Sequence, residues 1–133
     1  MRRFDLQQIK VFHGRDVYTV VLHHAPKLSE NDIREEYRAL LDTGVNSSFI
    51  STKRVKELGL EIFASSAAVK NCDGSKQLSP GTVQVTLSIG SRFKITAQFR
   101  VINFDLFDLI IGMDLFLRHQ FTFAYDPFQI SAI

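Results

Sequence analysis

The sequence predicts an all-β fold, a closed barrel with one or two short helices and a single lobe per chain. Roughly seven or eight runs rich in β-branched and aromatic residues recur along it, separated by clusters of Gly, Pro, Asn and Asp, which is the pattern of strands joined by turns. Only two short stretches carry helix signals, and 133 residues suit one domain with one core.

Met1 to Arg15 reads as a flanking arm, and residues 16–133 as the folded domain. Asp16 to His24 is the first clear strand, ending before Pro26; residues 25–36 are polar and charged, a surface loop longer than a hairpin needs. Tyr37 to Leu41 alternates and then turns wholly apolar before Asp42-Thr43-Gly44, so a buried strand delivers a turn into the interior. A second strand follows that turn. Ser51 then offers an N-cap, Thr52 to Leu58 places Val55 and Leu58 three apart, and Gly59 closes a helix.

Ala67 to Asn71 and Thr82 to Ile89 read as extended, with the polar stretch from Cys72 to Gly81 between them as the mobile end of a long hairpin. Phe93 to Asn103 alternates as a strand, and Asp108 to Gly112 is a fully apolar strand ending at glycine. A helix over Met113 to Arg118 follows, then strands at Phe121–Tyr125 and Phe128–Ile133 around Asp126 and Pro127. The twelve phenylalanines, with no tryptophan, are expected to fill the core.

Composition excludes several function classes. With 45% hydrophobic and 23% charged residues the chain is globular rather than disordered. Sixteen basic against fourteen acidic residues leave a net charge of +2, and the basic ones are scattered, so no stripe for nucleic acid is implied. The lone Cys72 excludes an internal disulfide and a structural zinc site and reads as an inert thiol on the hairpin. His23 and His24 are adjacent on a strand and point to opposite faces, which argues against a metal. The first ten residues lack a signal-peptide core, and no run approaches ~20 apolar residues, so neither secretion nor a membrane span is predicted. A cytoplasmic location is expected.

Asp-Thr-Gly alone is a common turn. Its setting is not: Leu40 and Leu41 would bury it, and a buried carboxylate without a cation is costly. The run ALLDTGVNSSFIS, Ala39 to Ser51, resembles the catalytic loop of retropepsins. FDLIIGMDLFLRHQ, from Phe107, is similar to the apolar strand, glycine and short helix that pack beneath that loop, and the hairpin at Asp73–Gly81 lies where the family places its flap. GMDLFLRHQ and the Asp73-Gly74 tip most resemble the proteases of gypsy-type LTR retrotransposons. The same elements resemble the protease domain of DNA-damage-inducible ubiquitin-shuttle proteins.

The resemblance implies a retropepsin-like (acid protease) barrel with Asp42, Thr43 and Gly44 catalytic and no metal or cofactor. Peptide hydrolysis by carboxylates needs one ionised and one protonated, and the chain has one such motif, so the second Asp42 must come from another copy about a twofold axis. By resemblance, Thr43 would brace the two loops across that axis. The polypeptide substrate would lie extended between floor and flap, against Val45, Asn46 and Ile110 below and Asp73, Gly74, Ser75 and Leu78 above. The implied role is processing of a retrotransposon Gag-Pol polyprotein, in the cytoplasm or within virus-like particles. A cellular retropepsin domain and a dimeric peptide-binding module that does not cleave stay as alternatives.

Two departures from the retroviral form stand out, Asn46 where an acidic residue is usual and Met113 where an arginine is usual. An ion pair that braces the retroviral site is therefore missing. Asp105, Asp108, Asp114 and Asp126 are the carboxylates that could partner Asp42 within one chain; for Asp114, at the start of a helix, capping is the expected duty.

Overall fold

A computed structural model describes the backbone of residues 2–5, 11–14, 17–25, 36–42, 44–71, 74–89, 93–119, 122–125 and 128–132, with side chains for 36–42, 44–71, 74–87 and 95–119. The elements are β1 (Arg2–Asp5), β2 (Val11–Gly14), β3 (Val17–Ala25), β4 (Glu36–Leu41), β5 (Phe49–Ser51), α1 (Thr52–Leu58), β6 (Phe63–Lys70), β7 (Lys76–Ile89), β8 (Phe93–Ile102), β9 (Leu109–Ile111), α2 (Met113–Arg118), β10 (Thr122–Tyr125) and β11 (Phe128–Ala132). Mostly β with two short helices, this is the predicted class. Two of the strands, β1 and β2, fall inside the segment read as an arm. The loop expected at residues 25–36 lies largely outside the described residues.

Eight strands form one sheet in the order β2-β3-β4-β9-β5-β8-β7-β6, and three form another, β1-β11-β10. The expected closed barrel is not reached. The large sheet curls until β3 also meets β7, pairing His23–Ala25 with Thr86–Ser88, but β2 and β6 remain as its edges.

The long antiparallel pair β7–β8 builds the core by alternation. Val83, Val85 and Leu87 face inward with Ile95, Ala97, Phe99 and Val101, while on the opposite face the Thr86 and Thr96 hydroxyls meet at 2.8 Å. Tyr37, Ala39, Ile50, Leu109 and Ile111 complete the core from the strands around the candidate site, with Val55, Leu115 and Phe116 from the helices. Among the described residues phenylalanine is not the main filler: of the six with described side chains, only Phe99 and Phe116 are buried, and Phe63 is 51% exposed; the other six lie outside them. Short β-branched residues fit a curled sheet more closely than large rings do.

The helix ends follow local chemistry. Ser51 Oγ accepts from the Arg54 amide, and Gly59 adopts φ 62° at the other end of α1, a conformation that glycine takes without a Cβ penalty. The hairpin departs from expectation. Lys76 to Gly81 belongs to β7 and pairs with β6, which begins at Phe63 rather than Ala67, so the turn shrinks to Asn71–Ser75. β6 is largely solvated, and on the β7 side of the arm the buried positions are Ser79 and Gly81, so it lacks the apolar alternation by which a strand is usually read.

Candidate active site

β9 is the centre of the site. It pairs in parallel with β4, Leu41 opposite Ile111, and antiparallel with β5, Phe49 opposite Ile110. The loop between β4 and β5, residues 42–48, therefore leaves the sheet on one side of β9 and returns on the other. At its start the Asp42 amide donates to the Ile111 carbonyl at 2.9 Å, extending the ladder by one rung.

The Asp42 carboxylate is held by its own loop: the Gly44 amide donates to Oδ1 at 2.8 Å. A Cβ on Gly44 would stand 3.1 Å from that oxygen, so glycine here keeps the carboxylate uncrowded. Asp42 is half-buried in the single chain, as are Leu40 and Leu41, a more open setting than the leucines implied.

Beneath the loop, the first amides of α2 take its carbonyls. Met113 N–H donates to Val45 O at 2.8 Å and Asp114 N–H to Asn46 O at 3.1 Å. Gly112 permits this approach, because any Cβ there would overlap the Ser47 carbonyl and press on the Val45 carbonyl. Its amide donates to Ser48 Oγ at 2.9 Å, and Ser48 Oγ in turn donates to Asp114 Oδ1 at 2.7 Å. Asp114 also accepts from the Ser48 amide at 3.2 Å and the Leu115 amide at 2.8 Å. Its duty is structural, as expected, yet mostly across the chain: it fastens the end of the loop to α2.

The assigned residues fall into two groups. Asp42, Gly44, Val45, Asn46 and Ile110 gather around β9, with Val45 and Ile110 half-buried and Asn46 exposed. Gly74, Ser75 and Leu78 sit on the β6–β7 arm, Gly74 at φ 87° and Leu78 74% exposed. Thr43, Cys72 and Asp73 lie outside the described residues. Sequence does not single out Ser48, Asn71, Gln77 or Asn103: Ser48 bonds Asp114 across 66 positions and Gln77 bonds Asn103 across 26, while Asn71 bonds within its own turn, to Ser75 and Gln77. Two of the possible intrachain partners are already engaged: Asp108 Oδ2 accepts from the Arg38 amide at 2.9 Å, and Asp114 is tied to Ser48. Asp126 lies outside the described residues. Among those residues no group of three or more His, Cys, Asp or Glu could hold a metal, and no helix is long and apolar enough to cross a membrane.

Residues 31–119, which include β4 through α2, match a family model described as "gag-polyprotein putative aspartyl protease". The chain belongs to this gag-polyprotein aspartyl protease family. Among solved structures, the protein is similar to a retropepsin-like aspartic protease from Rickettsia conorii, with a TM-score of 0.52 and 17% identity over 86% of this chain and 80% of that one. That likeness shows the retropepsin-like fold, one lobe per chain. It is also similar to the retroviral protease-like domain of Ddi1 from Leishmania major, with a TM-score of 0.48 and 24% identity, covering 65% of this chain and 66% of that one. A comparison with curated proteins gave no match. For a gag-polyprotein aspartyl protease, the loop carrying Asp42 and the glycine-led α2 beneath it both fall within the matched residues.

Proposed function

We propose that this member of the gag-polyprotein aspartyl protease family is a homodimeric endopeptidase that cleaves the retrotransposon polyprotein containing it, using one Asp42 from each of two chains. The observation that carries this reading is a single Asp-Thr-Gly loop per chain, presenting a half-open carboxylate, while Asp108 and Asp114 are engaged in structural hydrogen bonds. One carboxylate cannot serve as base and acid at once. Two that share a proton across a twofold axis can.

The ionised Asp42 takes a proton from water as its oxygen attacks the scissile carbonyl carbon, and the protonated Asp42 gives its proton to the carbonyl oxygen. Collapse of the tetrahedral diol breaks the C–N bond as the proton held by the base passes to the departing amine and a hydroxyl proton of the diol returns to the other Asp42, which restores the shared-proton pair and leaves the new carboxyl group. Thr43 would brace the paired loops. An extended peptide between the floor at Val45, Asn46 and Ile110 and the arm at Asp73, Gly74, Ser75 and Leu78 would present its carbonyl to this pair.

The test is cleavage of a peptide library at mildly acid pH with pepstatin as inhibitor, repeated with Asp42→Asn. The amide is nearly isosteric and cannot share the proton, so the variant should lose cleavage while keeping fold and dimer. Specific activity should fall on dilution below the dimer dissociation constant, and excess Asp42→Asn chain should poison wild type. Full activity in a monomer demonstrated by analytical ultracentrifugation would overturn the shared site.

A further inference from the structure

The β7–β8 ladder ends where Thr82 meets Arg100; beyond it, Lys76 to Gly81 pairs with β6 as a projecting arm. β8 itself continues to Ile102, which pairs with Ser51 at the end of the strand leaving the Asp42 loop. The next residue, Asn103, meets the arm through one side chain. Gln77 Oε1 accepts from the Asn103 amide at 2.8 Å, and Gln77 Nε2 donates to the Asn103 carbonyl at 3.3 Å and to Asn71 Oδ1 at 2.7 Å.

A main chain cannot exchange its donor for its acceptor, so Asn103 fixes which way the Gln77 amide faces. That orientation forces Asn71 to offer its oxygen to Gln77 and its nitrogen to Ser75 Oγ, 2.9 Å away. The Asn71 main chain closes the same turn, its N–H donating to Ser75 O at 2.7 Å and its carbonyl accepting from Gly74 N–H at 3.0 Å. Each orientation in this series, from the end of β8 to the tip, is set by the one before it.

We propose that Gln77 is a positioning residue that registers the hairpin tip to the end of β8, the strand paired with the one that leaves the Asp42 loop, acting through Asn71. Its carboxamide supplies the rung that the ladder lacks at this point. Exposed hydrogen bonds of this kind are weak enough to release and re-form as substrate enters, and losing the pair is expected to loosen the tip by about tenfold. The catalytic consequence rests on the endopeptidase reading; the registration does not.

Amide hydrogen exchange on the intact chain reads the tip without substrate. In Gln77→Leu, the Asn71 and Gly74 amides should exchange about tenfold faster, with Val83 and Val85 unchanged. Asn71→Ala should accelerate Gly74 to the same degree, and the double variant should add nothing further, because both substitutions cut one path. In peptide cleavage, Gln77→Leu should lower kcat/KM by about tenfold at a temperature where the fold is intact, and Gln77→Glu should not rescue it, since a carboxylate would face the Asn103 and Asn71 oxygens. Unchanged tip exchange, or acceleration spread equally over the strand amides, would overturn the registration. A loosened tip with full kcat/KM would overturn its positioning role. If wild type cleaves no peptide, the endopeptidase reading falls while exchange still decides whether Gln77 registers the tip.

Discussion

Between Asp42 and Ser48 the chain is held largely by its main chain, whose carbonyls and amides bond to residues of β9, α2 and β8. Between Asn71 and Gln77 it is held by side-chain amides at the surface as well as by its own turn. The floor leaves almost no freedom to the residues that compose it, since main-chain bonds require only the right backbone path and no Cβ in the way. The arm depends on residue identity, and its bonds compete with water. Under the proposed endopeptidase reading, these two halves would give a fixed carboxylate and an adjustable cover, a division suited to admitting a chain and then excluding solvent.

The comparison breaks first at Gly112. Alanine there would push against the Ser47 and Val45 carbonyls, which cannot rotate away, so Gly112→Ala is expected to cost about 3 kcal/mol and to abolish cleavage. Thermal unfolding with an activity assay checks both; a variant of wild-type stability would mean that the loop is not clamped.

Ser48→Ala should come next, at about 2 kcal/mol, because it orphans the buried Gly112 amide and removes a partner of Asp114. Chemical denaturation reads the stability loss. Ser48→Thr, which keeps the hydroxyl, should retain more of the turnover than Ser48→Ala.

On the arm the order of effects reverses. Gly74 is exposed at φ 87° with open space around its Cβ position, so Gly74→Val strains one residue by ~1 kcal/mol. Turnover should drop about tenfold as the tip takes another shape, while the melting temperature moves little. Equal losses in both measurements would place the tip in the fold rather than in the cover.

The smallest effect is pH-dependent. Burial, and next the charge of Arg118, hold the His119 imidazole below its ordinary value of 6.5. Above that pH both folded and unfolded chains carry it neutral, and it contributes nothing to the pH dependence. As pH falls through 6.5 the unfolded chain takes the proton first, so stability declines until the folded value is passed. His119→Gln should therefore flatten the stability profile on the acid side of 6.5, the range in which carboxylate catalysis is expected to work. Denaturant midpoints across that range check it.

Sequence made the floor legible where the signal was local. The α1 bounds follow from Ser51 and Gly59, which cap it; β4 shows the alternation of a strand, with Tyr37 and Ala39 buried between exposed Glu36 and Arg38, and only the short β9 is wholly apolar. Asp42, Gly44 and Gly112 announced themselves as a motif. What stayed hidden was non-local: nothing beside Ser48 or Asp114 shows that they will meet across 66 positions. The arm was misread for a different reason. Lys76, Gln77 and Pro80 look like loop because the positions that turn inward on this stretch are Ser79 and Gly81, buried but not apolar, while Leu78 faces water, so its alternation carries no hydrophobic signal. Phe63 was expected inside and lies exposed at the foot of the same arm.

The parallel pairing of Leu41 with Ile111 has a consequence in time. Asp42 gains its main-chain anchor only from residues about seventy positions later, and contacts of such separation form late in folding. On a ribosome adding roughly 5 to 20 residues per second, the stretch from Asp42 to Asp114 takes on the order of ten seconds to synthesise. Throughout that interval a nascent chain carries the carboxylate on an unanchored loop. The order in which the sequence is written thus delays assembly of the candidate site until α2 has emerged.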